Sequence, residues 1–279
     1  MTGEERSRLQ DAVLSITKDI TALCGRHGIQ YSLGGGSALG AVRHHGFIPW
    51  DDDIDLNVER RYLDPLCDLV EQEMGDRYSV CRPGITDQYY SSFVQIHAKG
   101  TLCREDLHTP DALCGIKIDV FPYDNTFGSG FLRFLHGIAC DGISFVLSCM
   151  RMSMFRKEYL KLTHSNAEAS KTIRVKALIG MFFTGTPQAL MRFAQRIYRL
   201  CPDEESYYVS CPTGRGHFFG EIRPRAGLRK TVKVPYEDTE FSVTKDVRAY
   251  LKMLYGPDYM ALPPEEEREQ HVLYELRFK

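Results

Sequence analysis

The chain has almost no excess charge: 35 Lys and Arg stand against 37 Asp and Glu, a net charge of −2 over 279 residues. A nucleic-acid binder usually carries a basic surplus to neutralise phosphates, so no nucleic-acid partner is expected. The nine cysteines include no C-x-x-C pair and no regular spacing. They read as reduced, mostly buried thiols of a cytoplasmic protein rather than as a disulfide framework. Tryptophan occurs once, at Trp50. The opening residues, MTGEERSRLQDAV, are charged and lead into no apolar segment, so no signal peptide is expected. One strongly apolar stretch, residues 130–150, is interrupted by Arg133, His136 and Asp141. A spanning helix needs about 20 apolar residues with few charges, so this stretch reads as a buried or membrane-facing helix.

What is present is ordinary in bulk and unusual in one place. Hydrophobic content of 43% and charged content of 26% fit a soluble globular chain of one large or two small domains. Leu9, Val13, Ile16, Ile20 and Leu23 recur every three or four residues, the stripe of an amphipathic helix over 4–26. Residues 29–33 predict a short strand running into Gly34-Gly35-Gly36-Ser37, and Ala38–Val42 a short helix. A glycine turn feeding a helix N-terminus offers backbone N–H groups to a phosphate.

Asp53-Ile54-Asp55-Leu56-Asn57-Val58 then alternates polar and apolar, as a strand buried on one face does. Asp53 and Asp55 share the open face, within reach of one divalent cation. With Asp51 and Asp52 beside them, four acids crowd five positions, and such a cluster repels itself unless a cation neutralises it. Ile116, Ile118 and Val120 alternate with Lys117, Asp119 and Phe121, predicting a second strand of the same kind that carries Asp119 on its polar face.

The string GGGSALGAVRHHGFIPWDDDID, with its glycine turn and Asp-x-Asp, resembles the signature of the LicD family of the nucleotidyltransferase superfamily. That family includes bacterial phosphocholine transferases and fukutin-type relatives. The segment Ile118-Asp119-Val120-Phe121-Pro122 and the ending Tyr255-Gly256-Pro257-Asp258-Tyr259-Met260, Leu262-Pro263-Pro264, Arg268 and His271 resemble the family too. The resemblance implies an α/β fold: a nucleotidyltransferase-like mixed sheet with flanking helices and a helical insertion. The expected division is a catalytic core over 1–125, the insertion over 126–210 and a completing segment over 211–279.

The resemblance implies metal ligation by Asp53, Asp55 and Asp119, with Asp119 as third ligand or as the base for the acceptor hydroxyl. It implies Mg²⁺, with Mn²⁺ as a substitute, and phosphate binding by Gly35, Gly36 and Ser37. The implied reaction is transfer of phosphocholine from CDP-choline to a hydroxyl of a cell-surface glycan or lipid-linked glycan, releasing CMP. Other readings stay open: a different phospho-substituent (phosphoethanolamine, ribitol phosphate or an aminoethylphosphonate), true nucleotidyl transfer, or an inactive nucleotide- or glycan-binding module.

Arg43 reads as a phosphate clamp or a surface arginine. Trp50 and Tyr123, with Tyr89 and Tyr90, are chemically suited to a quaternary ammonium group; for Trp50, core packing is the other reading. The family often has a basic residue near Gln95, and Lys99 is the expected compensation. Residues 129–200 read as helical, broken at Gly185-Thr186-Pro187, with basic residues that either solvate helix faces or meet a membrane from its cytoplasmic side. Asp124 reads as a loop acid. Residues 218–235 read as strands and turns around a basic run (Arg223, Arg225, Arg229, Lys230 and Lys233) that is a solvated loop or an anion contact. Cys201, Cys211 and His217 match no familiar zinc spacing, and His271 reads as a structural cap or a catalytic group.

Overall fold

The computed structural model describes residues 1–105, 109–163, 166–183, 185–268 and 273–278; His271 lies outside them. Helix α1 (Gly3–Arg26) opens on a capping box in which the Thr2 hydroxyl accepts from the Glu5 N–H while the Glu5 carboxylate accepts from the Thr2 N–H. Strand β1 (Tyr31–Leu33) leads into helix α2 (Gly35–His44). Gly35, Gly36 and Ser37, expected as a turn before a helix, are thus that helix's first turn. Strand β2 (Asp55–Glu59) follows, then helix α3 (Arg60–Met74) and strands β3 (Tyr78–Cys81), β4 (Val94–Ala98), β5 (Leu102–Arg104) and β6 (Lys117–Asn125).

The sheet runs β1-β2-β6-β4-β3. Strands β2 and β6 are parallel, and the other pairs in that row are antiparallel. It is a mixed sheet, as the sequence led one to expect. Ile54, Leu56 and Val58 of the β2 segment and Ile118 and Val120 of β6 pack with the α1 stripe and with Leu63, Leu66 and Val70 of α3. Full burial of each such side chain is worth about 1.5–3 kcal/mol. A one-residue slip of either strand would drive Asp55 or Asp119 into that core, so the alternation fixes the register.

Four helices follow: α4 (Gly130–Met154), α5 (Arg156–Leu162), α6 (Ala167–Gly180) and α7 (Pro187–Tyr198). Cys140, Ile143, Leu147 and Met150 of α4 form a separate small core with Met191, Ala194 and Tyr198 of α7. Strand β7 (Tyr208–Ser210) returns to pair with the end of β6. The chain then makes helix α8 (His217–Gly220), strand β8 (Arg223–Pro224), helix α9 (Arg225–Arg229), hairpin β9 (Thr231–Tyr236) and β10 (Thr239–Thr244), helix α10 (Val247–Tyr255) and β11 (Glu275–Arg277) on β5. Short helices thus stand where strands and turns were expected over 218–229.

Arg223, Arg225 and Arg229 of the basic run are ion-paired rather than solvated, while Lys230 and Lys233 are exposed. Glu59, at the end of β2, is 3% exposed. It accepts from Arg225 Nη1 at 2.6 Å and from Arg229 Nε at 2.9 Å. Burial alone would raise the Glu59 carboxyl, but the hydrogen bonds from Arg229 and Arg225 outweigh it and hold the group below its ordinary value. Arg223 pairs with Asp246 at 2.8 Å. These cations lock the returning segment onto the sheet. Asp124 is likewise no loop acid: it is fully buried in β6 and takes Arg60 Nε at 2.5 Å and Nη2 at 2.7 Å.

Candidate active site

Strand β2 places Asp55 directly beside Asp119 of β6 in the parallel register, with the Asp119 N–H donating to the Ile54 carbonyl at 3.0 Å. Asp53 stands two residues before Asp55 on the same face. One carboxylate oxygen of each of Asp53, Asp55 and Asp119 lies within 4.8 Å of the others, the sole such cluster of three His, Cys, Asp or Glu among the described residues. Cys201, Cys211 and His217 are not in such a cluster.

The glycines bring the first turn of α2 against these acids. Gly35 has φ +42°, and a Cβ there would lie 2.8 Å from Asp55 Oδ2; one at Gly36 would lie 2.9 Å from Asp51 Oδ2. Only a residue without a side chain lets backbone and carboxylates approach so closely. The Asp55 N–H donates to Ser37 Oγ at 2.8 Å, and the Gly34 N–H to the Asp55 carbonyl at 2.9 Å. Helix α2 has no side-chain cap at its N-terminus, which leaves first-turn N–H groups for an anion. The Gly35 N–H is taken: it donates to Tyr250 Oη at 3.0 Å, which also accepts from Asn57 Nδ2 at 3.2 Å.

Gly35, Gly36, Asp51, Asp53, Asp55, Asn57 and Tyr250 line a cavity of about 530 Å³ together with Phe93, Phe121, Arg215, Glu221 and Tyr255, and Asp119 lies behind Asp55 at its edge of the sheet without lining it. Burial, reinforced by the charges of Asp53, Asp119 and Asp51, holds the Asp55 carboxyl well above its ordinary range, with Lys117 opposing. Burial lifts Asp119 to about 6, against the pull of Lys117. Burial also lifts Glu221 to about 7, against hydrogen bonds from the Gly216 backbone and Tyr123. Hard carboxylate oxygens that repel one another in this way suit a divalent cation such as Mg²⁺.

Other expected contacts fall elsewhere. Tyr123 is fully buried, its hydroxyl 3.4 Å from Glu221 Oε2, in a small core with Val209, Cys211 and Leu228. It has no surface to offer a ligand. Trp50 and Arg43 line an adjoining cavity that shares Gly36, Asp51, Arg215 and Tyr255 with the first. Arg268 lies 4.5 Å over the Trp50 ring, so a protein cation occupies the place expected for choline. Arg43 donates to His44 Nε2 and to the Tyr259 and Ala261 carbonyls at 2.9–3.2 Å. Its fork holds the C-terminal segment instead of standing free for phosphate. Lys99 bonds the Gly75 carbonyl, away from the site. The cation near Asp119 is Lys117, paired with Glu105 at 2.6 Å. Burial alone would lower its ammonium, but Glu105, Asp119 and Asp53 outweigh burial and hold it well above its ordinary value.

The sequence reading missed Tyr250, Arg215, Glu221 and Lys117 as site residues. Lys117 carried a signal, sharing a strand face with Asp119. The others come from a segment with no local pattern pointing to the acids.

Residues 28–128, the stretch that holds Asp53, Asp55 and Asp119, match the nucleotidyltransferase domain described as LicD/FKTN/FKRP. The chain is also 28% identical over 265 residues, 94% of each chain, to the lipopolysaccharide cholinephosphotransferase LicD of Haemophilus influenzae. Uncharacterised proteins of Rickettsia prowazekii and Rickettsia typhi are each 40% identical over 47 residues, 17% of this chain and 18% and 15% of theirs. Together the domain match and the similarity along nearly the whole chain support a LicD family phosphotransferase.

Proposed function

We propose that this protein transfers phosphocholine from CDP-choline to a hydroxyl of a cell-surface glycan, releasing CMP. The observation that carries the reading is the close set of Asp53, Asp55 and Asp119 facing the uncapped, glycine-led start of α2. The similarity to a lipopolysaccharide cholinephosphotransferase supports choline as head group and a glycan or lipid-linked glycan as acceptor. The three aspartates would hold Mg²⁺ or Mn²⁺, which supplies charge neutralisation on the donor diphosphate. The first turn of α2 and Arg215 bind and orient phosphate oxygens. The acceptor oxygen forms a bond to the choline-bearing phosphorus as the bond from that phosphorus to the CMP oxygen breaks. Asp119 either completes that metal site or takes the hydroxyl proton as the base. A nucleotide-linked donor and nine free cysteines fit a cytoplasmic reaction, which we place at the inner face of a membrane.

The test is CMP release from CDP-choline, CDP-ethanolamine and CDP-ribitol, and pyrophosphate release from CTP, with crude glycan acceptor, in Mg²⁺ or EDTA, for wild type and Asp55→Ala. The expected result is metal-dependent release from CDP-choline that Asp55→Ala loses. Release from another donor alone replaces the head group. Release of pyrophosphate from CTP in place of CMP overturns the transfer chemistry, and no release from any donor sinks the enzyme reading.

A further inference from the structure

Beyond Asp119 the same sheet face carries another cavity, of about 200 Å³, that the reaction above does not use. Strand β4 runs antiparallel to β6 with Gln95 opposite Asp119 and His97 opposite Lys117. Gln95 Nε2 donates to Asp119 Oδ1 at 2.9 Å and also lines this cavity. Gln95 is therefore the partition between the metal-binding acids and the space behind them. Tyr90, Phe155 and Tyr159 form the aromatic wall, with the Tyr90 and Phe155 rings edge to face at 5.7 Å.

The informative group is His97, which lines the cavity and is 2% exposed. Its Nδ1 lies 3.1 Å from the Gly115 carbonyl, which can only accept, so Nδ1 carries the proton and Nε2 presents a lone pair. Nε2 has no hydrogen-bond partner among the described residues. A buried polar atom left this way is costly, and a ligand's O–H or N–H donor removes that cost. Burial, helped by Lys117, lowers the imidazole to about 4, so it stays an acceptor at neutral pH. A quaternary ammonium group has no proton to give it; a sugar hydroxyl does. The aromatic wall suits the C–H face of a pyranose ring, and the volume falls below the roughly 300–1,000 Å³ of larger ligand sites, room for about one ring.

The order across the sheet gives the cavity its role. The glycine-led helix and Asp55 lie on one side of Asp119, Gln95 and His97 on the other. With donor phosphates on the first side, the incoming alcohol belongs on the second. We infer that this cavity is the acceptor subsite, taking a single polyhydroxylated ring whose hydroxyl donates to His97 Nε2 while a neighbouring hydroxyl meets Gln95, the side chain that bonds Asp119. His97 is a positioning residue. The role as acceptor site rests on the phosphotransfer reading; binding of the ring does not.

Saturation-transfer NMR on the full chain, without nucleotide, tests it with methyl glycosides of hexoses and N-acetylhexosamines and with choline chloride as the opposing probe. At least one glycoside should receive saturation, weakened about tenfold, the worth of one hydrogen bond, in His97→Phe and in Tyr159→Ala, and partly restored in His97→Gln. Tyr159 is on the partly exposed α5 and keeps the test valid should the buried His97 variants misfold. Choline saturation lost in the variants, glycoside saturation unchanged in both, or none in the wild type overturns the subsite. Loss of CMP release with glycoside saturation intact sinks the transfer reading alone.

Discussion

Asp119 combines two demands in one side chain: it is buried beside Asp55 across the strands, and on the proposed reading it must ionise to hold a cation. In the metal-free protein the first wins, and its carboxyl is lifted to about 6 from an unfolded value of about 3.9. A carboxyl raised on folding stabilises the fold fully below the unfolded value, and that stability is lost as pH rises through the folded one. In EDTA, Tm should therefore fall between pH 4 and pH 6 for this group, and Asp119→Asn should flatten the fall. Added Mg²⁺ should raise Tm more at pH 7 than at pH 5, because only the ionised cluster binds it. Differential scanning fluorimetry across that range, with and without Mg²⁺, checks both; equal metal shifts at the two pH values would contradict the cluster as ligand.

At the scale of the element, β2 is held at both ends by different physics. Its acid end is free to serve the site, while Glu59 at its other end is clamped by Arg225 and Arg229 from α9. Glu59→Gln leaves the buried Arg225 without its counter-charge, and such losses cost about 3–5 kcal/mol. Arg229→Gln removes a more exposed partner and should cost about 1 kcal/mol or less. Urea unfolding of the two variants separates them, and equal costs would mean that Arg225 draws its support from Asn125 and Ser206 instead. The alternation in 53–58 and 116–121 made both strands and their acids legible, because period two is a local property. The partner of Glu59 was not legible, since charges 166 residues away leave no mark on its neighbours. Tyr123 misled for a related reason: its strand face is right, but β7 and α9 cover that end of β6 with Val209 and Leu228.

At the scale of the whole molecule, the apolar surface and the positive charge collect in one place. Helix α4 presents Phe131, Phe134, Leu135, Ile138 and Phe145 to solvent on one stripe, while its opposite stripe packs into the helical core. Phe182, in the turn after α6, is a further exposed aromatic side chain, 84% exposed. Between residues 151 and 176 seven Lys and Arg stand against two Glu, in a chain whose net charge is −2. By length and composition α4 matches a membrane span. Its buried stripe and the Asp141 carboxylate, which accepts from the Phe218 N–H at 3.0 Å, tie it into the fold. An apolar stripe flanked by basic residues suits a helix lying in an anionic lipid surface. The face also adjoins the site: Phe134 meets Phe219 of α8 at 5.9 Å, and α8 begins at His217, which lines the acid cavity. A bilayer docked there would bring a lipid-linked glycan to the cavity mouth. The protein should float with vesicles containing phosphatidylglycerol, less with phosphatidylcholine alone, and less as salt rises. Phe134→Ser with Phe182→Ser should abolish flotation while leaving urea stability within about 0.5 kcal/mol, as surface changes do. Should the wild type ignore both vesicles and instead form a dimer that the double variant dissolves, the face belongs to a second copy of the chain and the membrane reading fails.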